Sequence, residues 1–357
     1  MKILYGVQAT GNGHITRARA LVPWLRRLGF EVDVLLSGRP RDQLFGLEVF
    51  GHYRTRKGFT FALADGRVRP MHTLFHADLK TFWRDVQDLN VEDYDVILTD
   101  FEPVTAWAAK LKGRECIGIG HQYAFQHPVP KAGFNYLART ILCWFAPAST
   151  ALGLHWDSFN SPVLPPIIET DQAYRAPMVG QYLVYLPFDS HERVMNLLRA
   201  FPGVAFTYYA GVDAPYQERH IQVKPYSRAG FKDDLARAEG VVCGAGFELP
   251  SEALHLGKKL LVQPLQGQFE QCSNARALEL LERAQVMRDL NPEALRRFFN
   301  ASPVAPVHYP DVARAIAEWL KGGRTQSVQA LADQLWAQTR AEHRQVSPHF
   351  ARHLSPG

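Results

Sequence analysis

Side chains able to move a proton fall at the ends of apolar runs in this chain. The run from Lys2 to Val7 has the length of a buried strand and leads into Gly11-Asn12-Gly13-His14. Imidazole titrates near neutral pH, so a histidine held there can act as a general base. The run from Tyr94 to Thr99 ends in Asp100-Phe101-Glu102-Pro103, and that from Glu115 to Ile119 ends in Gly120-His121-Gln122. Open parallel sheets bind ligands at the carboxyl ends of their strands, so these side chains are expected to open on one cleft. Asp100, bonded to the far nitrogen of His14, would fix its tautomer and stabilise the imidazolium. Glu102 and His121 are the alternative bases or substrate contacts, beside Gly11, Asn12 and Gly13. A helix cap or a contact to an acceptor phosphate is the other role open to His14. A purely structural role is open to His121.

A second constellation runs from Val241 to Ala275. Val241-Val242-Cys243 is long enough only for a buried strand, and Gly244-Ala245-Gly246-Phe247 follows it. A helix is expected to open at Pro250-Ser251-Glu252 and to stop at Gly257. A helix N-terminus carries unpaired N–H groups and partial positive charge, so an anion can sit on it where small residues precede it. Glu252, within the first turn, can accept two hydroxyl hydrogen bonds, as a ribose requires. Glu270 and Gln271 follow the strand Lys259–Gln263 and would face the same cleft. Glycine loops before helices are common, so an ordinary β-loop-α unit is the competing reading of this spacing.

Taken together the block resembles the nucleotide-sugar site of MurG-like glycosyltransferases, the family 28 C-terminal type. That pattern is a Gly/Ala turn, a Ser-Glu pair, a helix ending in Gly, a strand ending in Pro, then a Gln/Glu-Gln pair before Asn-Ala. Here it is supplied by Gly244-Ala245-Gly246, Ser251-Glu252, Gly257-Lys258, Pro264, Glu270-Gln271 and Asn274-Ala275. Lys259 stands where the family often has Pro, and Glu270 where MurG has Gln, which leaves the transferred sugar open. Arg193-Val194-x-Asn196 copies the family's Arg-Val-x-Asn without its Gly-Gly-Ser, and Tyr226-Ser227 matches the position that packs on the base. The Gly11-x-Gly13-His14 loop is similar to the N-terminal glycine loop of these enzymes.

The resemblance implies an α/β GT-B fold, with two doubly wound Rossmann-like domains facing across a cleft. It implies transfer of a sugar from a nucleotide sugar, a UDP-sugar foremost, to an acceptor hydroxyl, a lipid-linked or cell-envelope acceptor among the candidates. No cofactor and no metal are implied, since the helix N-terminus would take the leaving diphosphate's charge. Other GT-B families pair a loop histidine with an aspartate about this far along the chain. A nucleotide-sugar epimerase or hydrolase of the same fold, and a non-catalytic nucleotide-sugar binder, are the alternatives.

The elements needed to carry these residues are legible in outline. Residues 1–160 read as a first domain, 161–180 as a proline-rich linker, 181–322 as the second domain, and 323–357 as a helix and tail packing back on the first. A helix over Lys2–Leu36's central stretch has Leu21, Val22 and Leu25 on its apolar face and Arg17, Arg19, Arg26 and Arg27 as its polar residues. Thr16 occupies the third glycine position of a dinucleotide fingerprint, which argues against NAD. Asp93-x-Asp95 resembles a metal-binding pair but precedes its strand, at the wrong sheet edge. Basic residues at 39–69 and the aromatic-basic segment 131–145 are candidates for an anionic membrane surface or a lipid-linked acceptor. In a chain of 357 residues, a net charge of +5 is too modest to argue for nucleic acid. Cysteines at 116, 143, 243 and 272 lack metal-ligand spacing and suit reduced thiols. With a strand beginning at Lys2 and no signal peptide expected, a cytoplasmic location follows, with peripheral contact on the inner membrane face.

Overall fold

The computed structural model describes residues 1–59, 78–133, 140, 142, 144–169 and 175–341, with backbone alone for 63–64, 67–68 and 340–341. The Arg67 side chain, Arg69, much of the 131–145 segment, part of the 161–180 linker and the tail beyond 341 therefore lie outside the described residues, as does Cys143.

The first sheet is six-stranded and parallel: β1 (Lys2–Gln8), β2 (Glu31–Ser37), β3 (Tyr53–Arg56), β4 (Val96–Asp100), β5 (Ile117–Gly120) and β6 (Thr150–Gly153), in the order β3-β2-β1-β4-β5-β6. Its strands are apolar runs because helices cover both faces; Ile3, Leu4 and Tyr5 are all fully buried. The second sheet is seven-stranded: β7 (Met178–Tyr185), β8 (Ala205–Ala210), β9 (Tyr216–Glu218), β10 (Ile221–Pro225), β11 (Ala238–Gly244), β12 (Lys259–Gln263) and β13 (Gln285–Val286), ordered β9-β10-β8-β7-β11-β12-β13. Only the β9–β10 pairing is antiparallel. In each sheet the neighbouring strands of β1 and β11 end level with them: Val7 is opposite Asp100 and Gln8 opposite Ser37, while Gly244 is opposite Gln263. Loops carrying chemistry therefore emerge side by side.

The helices that position the site follow β1, β4, β5 and β11: α1 (Asn12–Arg27), α2 (Leu79–Asp88, ahead of β4), α3 (Pro103–Leu111), α4 (His121–Ala124), α5 (His191–Arg199), α6 (Arg228–Arg237) and α7 (Glu248–His255). Then come α8 (Phe269–Leu280), α9 (Pro292–Phe299), α10 (Val312–Lys321) and α11 (Val328–Gln338). Helix α7 opens two residues earlier than expected and ends ahead of Gly257, whose φ of +65° suits glycine. Helix α10 packs back on α1, with Arg314 over Trp24 and Lys321 over Phe30. One apolar cluster runs through both units and includes Ile15, Leu21, Phe247, Leu254 and Ile316. Truncating such a buried leucine to alanine costs about 2–5 kcal/mol. Asp95 accepts from the Lys2 amide at 2.6 Å, at the strand-start edge and away from the cleft. Among the described residues no helix is long and apolar enough to cross a membrane, and Cys116, Cys243 and Cys272 are free thiols.

Candidate active site

A cavity of about 460 Å³ opens between the two sheets, walled by the ends of β1, β5, β7 and β11 and the starts of α1, α6 and α7. Asn12, Gly13 and His14 line one side; Gly244, Gly246, Phe247, Glu252, Glu270 and Gln271 line the other, with Tyr226 and Ser227 at one end. Gly11 lines it as well.

His14 and Asp100 meet. Nδ1 of His14 lies 2.6 Å from Asp100 Oδ1, and the histidine side chain is 16% exposed while the aspartate is fully buried. An ionised carboxylate only accepts, so Nδ1 carries the proton, and Nε2 is left as the lone-pair nitrogen of a ring that lines the cavity. Burial alone would raise the Asp100 pKa, but the charges of Arg17 and then His14 hold it below the usual carboxylate value.

Arg17, assigned by its sequence to the polar face of α1, is 1% exposed. Its Nε and one terminal nitrogen fork both oxygens of Asp100, at 2.6 and 2.5 Å. The other terminal nitrogen pairs with Glu248 at the start of α7, across the cleft. Burial works against the guanidinium, yet Asp100 and Glu248 hold it more firmly protonated than usual. Gly13 makes this approach possible: a Cβ there would stand 2.6 Å from a Glu248 oxygen. Arg19, also expected to face solvent, is 8% exposed and gives hydrogen bonds to the carbonyls of Phe45 and Gly46. Arg17 and Glu248 are functional candidates that sequence reasoning missed. The i, i+3 spacing from His14 to Arg17 put both on one helix face and was the available signal.

Glu102 is corrected. It is fully buried and caps α3, accepting from the amides of Val104 (2.8 Å) and Thr105 (2.7 Å) and from the Ser37 hydroxyl (2.6 Å). A glutamate directly ahead of a helix with Pro103 at its first position satisfies orphan N–H groups there, and it never reaches the cavity. His121 lines the cavity but offers no free nitrogen. Nδ1 lies 2.8 Å from the Leu154 carbonyl and Nε2 lies 2.5 Å from Asn274, while the ring stacks on Phe247 at 4.0 Å. The role as an acceptor contact is therefore replaced by a seam between the two units.

On the opposite wall α7 begins at Glu248 without a side-chain cap on its N-terminal amides. Glu252 is half-buried in its first turns; burial pushes its pKa up to about 7, with Lys232 pulling down and Glu248 pushing up. Ser251 is a further correction: its hydroxyl donates to the Phe247 carbonyl (2.7 Å) and accepts from the Trp156 indole (2.8 Å), so it braces the seam. Ala245 is fully buried off the cavity wall, its carbonyl accepting from Asn274. Arg193 lines a smaller adjoining pocket of about 150 Å³ with Asp189 and Gln263. Gln122 reaches across to Glu270 at 3.1 Å. Ser227 caps α6 through the Gly230 amide. Of the basic residues at 39–69, Arg39 lines the cavity and donates to the Ala9 carbonyl at 2.8 Å, while Arg56 pairs with Asp85 and Lys57 with Asp78.

The family model described as glycosyl transferase family 1 matches residues 1–303. The chain belongs to that family. It is a glycosyltransferase that takes its sugar from a nucleotide sugar. The fold is similar to that of the kitacinnamycin glycotransferase (17% identical, covering 95% of this chain and 99% of that one, TM-score 0.58). It is also similar to SnogD from Streptomyces nogalater (16%, 95% and 99%, TM-score 0.54). A third likeness is to the spinosyn rhamnosyltransferase SpnG, solved with thymidine diphosphate (13%, 94% and 96%, TM-score 0.56). At such identities the likeness shows the fold, which is GT-B as expected. No curated protein matches the sequence. The MurG-like expectation is met as far as the fold and the reaction class.

Proposed function

We propose that this glycosyltransferase is MurG-like in the layout of its site and works without a metal ion, moving a sugar from a pyrimidine nucleotide sugar to an acceptor hydroxyl. The donor lies on the wall built by β11, α7 and α8, with its diphosphate on the α7 amides beside Gly246, where a Cβ would meet nothing within 4 Å. Glu252 accepts from the ribose hydroxyls, Tyr226 packs on the base, and Glu270 with Gln271 reads the sugar. The acceptor hydroxyl lies against His14. Its proton passes to Nε2 as its oxygen bonds the anomeric carbon. The bond from that carbon to the diphosphate oxygen breaks, and its electron pair leaves with the diphosphate. The observation that carries this reading is the His14–Asp100 contact at 2.6 Å on a cavity whose far wall is an uncapped helix N-terminus. Uridine diphosphate is the nucleotide we favour. SpnG holds thymidine diphosphate, whose base has the same carbonyl edge. Calorimetry with both, beside adenosine diphosphate, tests it: equal affinity for all three would remove the assignment of Tyr226 and Glu252. Incubating donor alone and following it by NMR separates transfer from epimerisation or hydrolysis.

A lipid-linked acceptor drawn from an anionic membrane surface is favoured by one patch. Trp83 and Trp144 are 40% and 55% exposed, and the Lys110 ammonium lies over the Trp107 and Trp144 rings. Indoles beside a lysine suit the headgroup region. Binding to anionic vesicles should appear at low salt and fade as salt rises; equal pelleting with neutral vesicles would point to a soluble acceptor instead.

A further inference from the structure

Arg17 touches both walls of the cleft. It lies one turn after His14 on α1 and is 1% exposed. A buried guanidinium is costly unless its charge is paired, and here two carboxylates from different units pair it. The fork onto Asp100 leaves that carboxylate no freedom to turn. Oδ1 takes His14 and Arg17, and Oδ2 takes Arg17 with the Tyr5 hydroxyl at 3.4 Å. A carboxylate so held dictates which nitrogen of His14 keeps its proton and how the ring is turned. Glu248 sits at the first position of the donor-side helix, 231 residues away in sequence, so this bond exists only while the two walls face each other.

We propose that Arg17 is the positioning residue of the His14–Asp100 pair, and that its bond to Glu248 sets the pair fully only when the donor wall is closed against it. This rests on the reading of His14 as general base. The charged and titratable groups at His14 are Asp100, Arg17, Glu248 and, behind Asp100, Tyr5. A terminal nitrogen of Arg17 also lies 3.0 Å from Nδ1.

The test is nitrogen NMR on the full chain with labelled histidine, the His14 signal being identified by its absence in His14→Ala. The wild type should show the Nδ1–H tautomer. Arg17→Met should give mixed tautomers. Arg17→Lys keeps the charge but loses the fork, so mixed tautomers are expected here too; this variant also serves if Arg17→Met does not fold. A wild-type tautomer in the folded Arg17 variants overturns the proposal. Glu248→Gln should speed amide hydrogen exchange at 12–17 and 246–250, and unchanged exchange overturns its cross-cleft half. If His14→Ala turns over UDP-glucose or another accepted UDP-sugar as fast as wild type, the reading of His14 as base fails, while the NMR result on Arg17 still stands or falls by itself.

Discussion

His14 can serve as a base because its neighbour removes the choice of tautomer, and two predictions belong to this scale. His14→Ala should lower turnover of the accepted nucleotide sugar by about 10²–10⁴-fold, the worth of a positioned acid–base group. UDP affinity by calorimetry should stay as in wild type, since the proposed nucleotide site is on the other wall; a matching loss of affinity would mean that the ring binds rather than catalyses. Glu252 makes a pH prediction. Its pKa stands at about 7 because burial disfavours the charged form. As pH falls through that value the carboxylate gains a proton and becomes a poorer acceptor for ribose hydroxyls. UDP affinity should therefore weaken between about pH 8 and about pH 6. Glu252→Gln should flatten that dependence, and Glu252→Ala should cost about 1–3 kcal/mol of binding. A pH-independent wild-type affinity would remove Glu252 from the ribose.

At the scale of elements, the cleft works because strand ends are level and each is followed by a helix start. The start of α3 is closed by Glu102, and the start of α7 is not closed by any side chain. Two helix N-termini thus differ: one is closed by a side chain, and the other is left open, as the proposed diphosphate site requires. Glu102→Ala should lower folding stability by about 1–3 kcal/mol, through the lost cap and the lost hydrogen bond from the Ser37 hydroxyl. UDP affinity should be unchanged. Urea unfolding beside calorimetry checks both halves, and weaker UDP binding without lost stability would return Glu102 to the cleft.

For the whole molecule the decisive feature is the seam beneath the cavity, where Trp156, His121 and Phe247 pack together and Asn274 reaches His121. Burial lowers the pKa of both His121 and His155, more so for His155. Histidines exposed on opening bind protons below the ordinary value near 6.5, whereas the buried ones do not. The seam's contribution is thus full above that pH and is lost as pH falls below it. Protection of the amides at 121–125 and 246–252, taken relative to the intrinsic exchange rate at each pH, should fall between about pH 6.5 and about pH 5. Asn274→Ala should show the lower protection already at neutral pH. Protection that is flat across that range would show that the seam does not sense protons.

By itself the sequence determined the strand–glycine loop–helix units and the residues standing where strands end. Those signals are short-range: apolar runs of strand length, glycine turns and a helix stop at Gly257 all act within a dozen residues. His14 and Asp100 could be paired from sequence because parallel strands that end together bring their loops together. Helix α1 shows the limit. Arg17 and Arg19 look like the solvated face of an amphipathic helix, and periodicity cannot tell solvent from a second domain. Glu102 and Ser251 failed for the complementary reason. Position at a strand end or helix start does not say which groups the helix's own amides, or a tryptophan 95 residues away, will claim first. Only the tertiary structure brought Glu248 against Gly13 and gave Arg17 two carboxylates. Pairing a buried charge depends on groups distant in sequence, whose approach is set by the packing of two sheets and the seam between them.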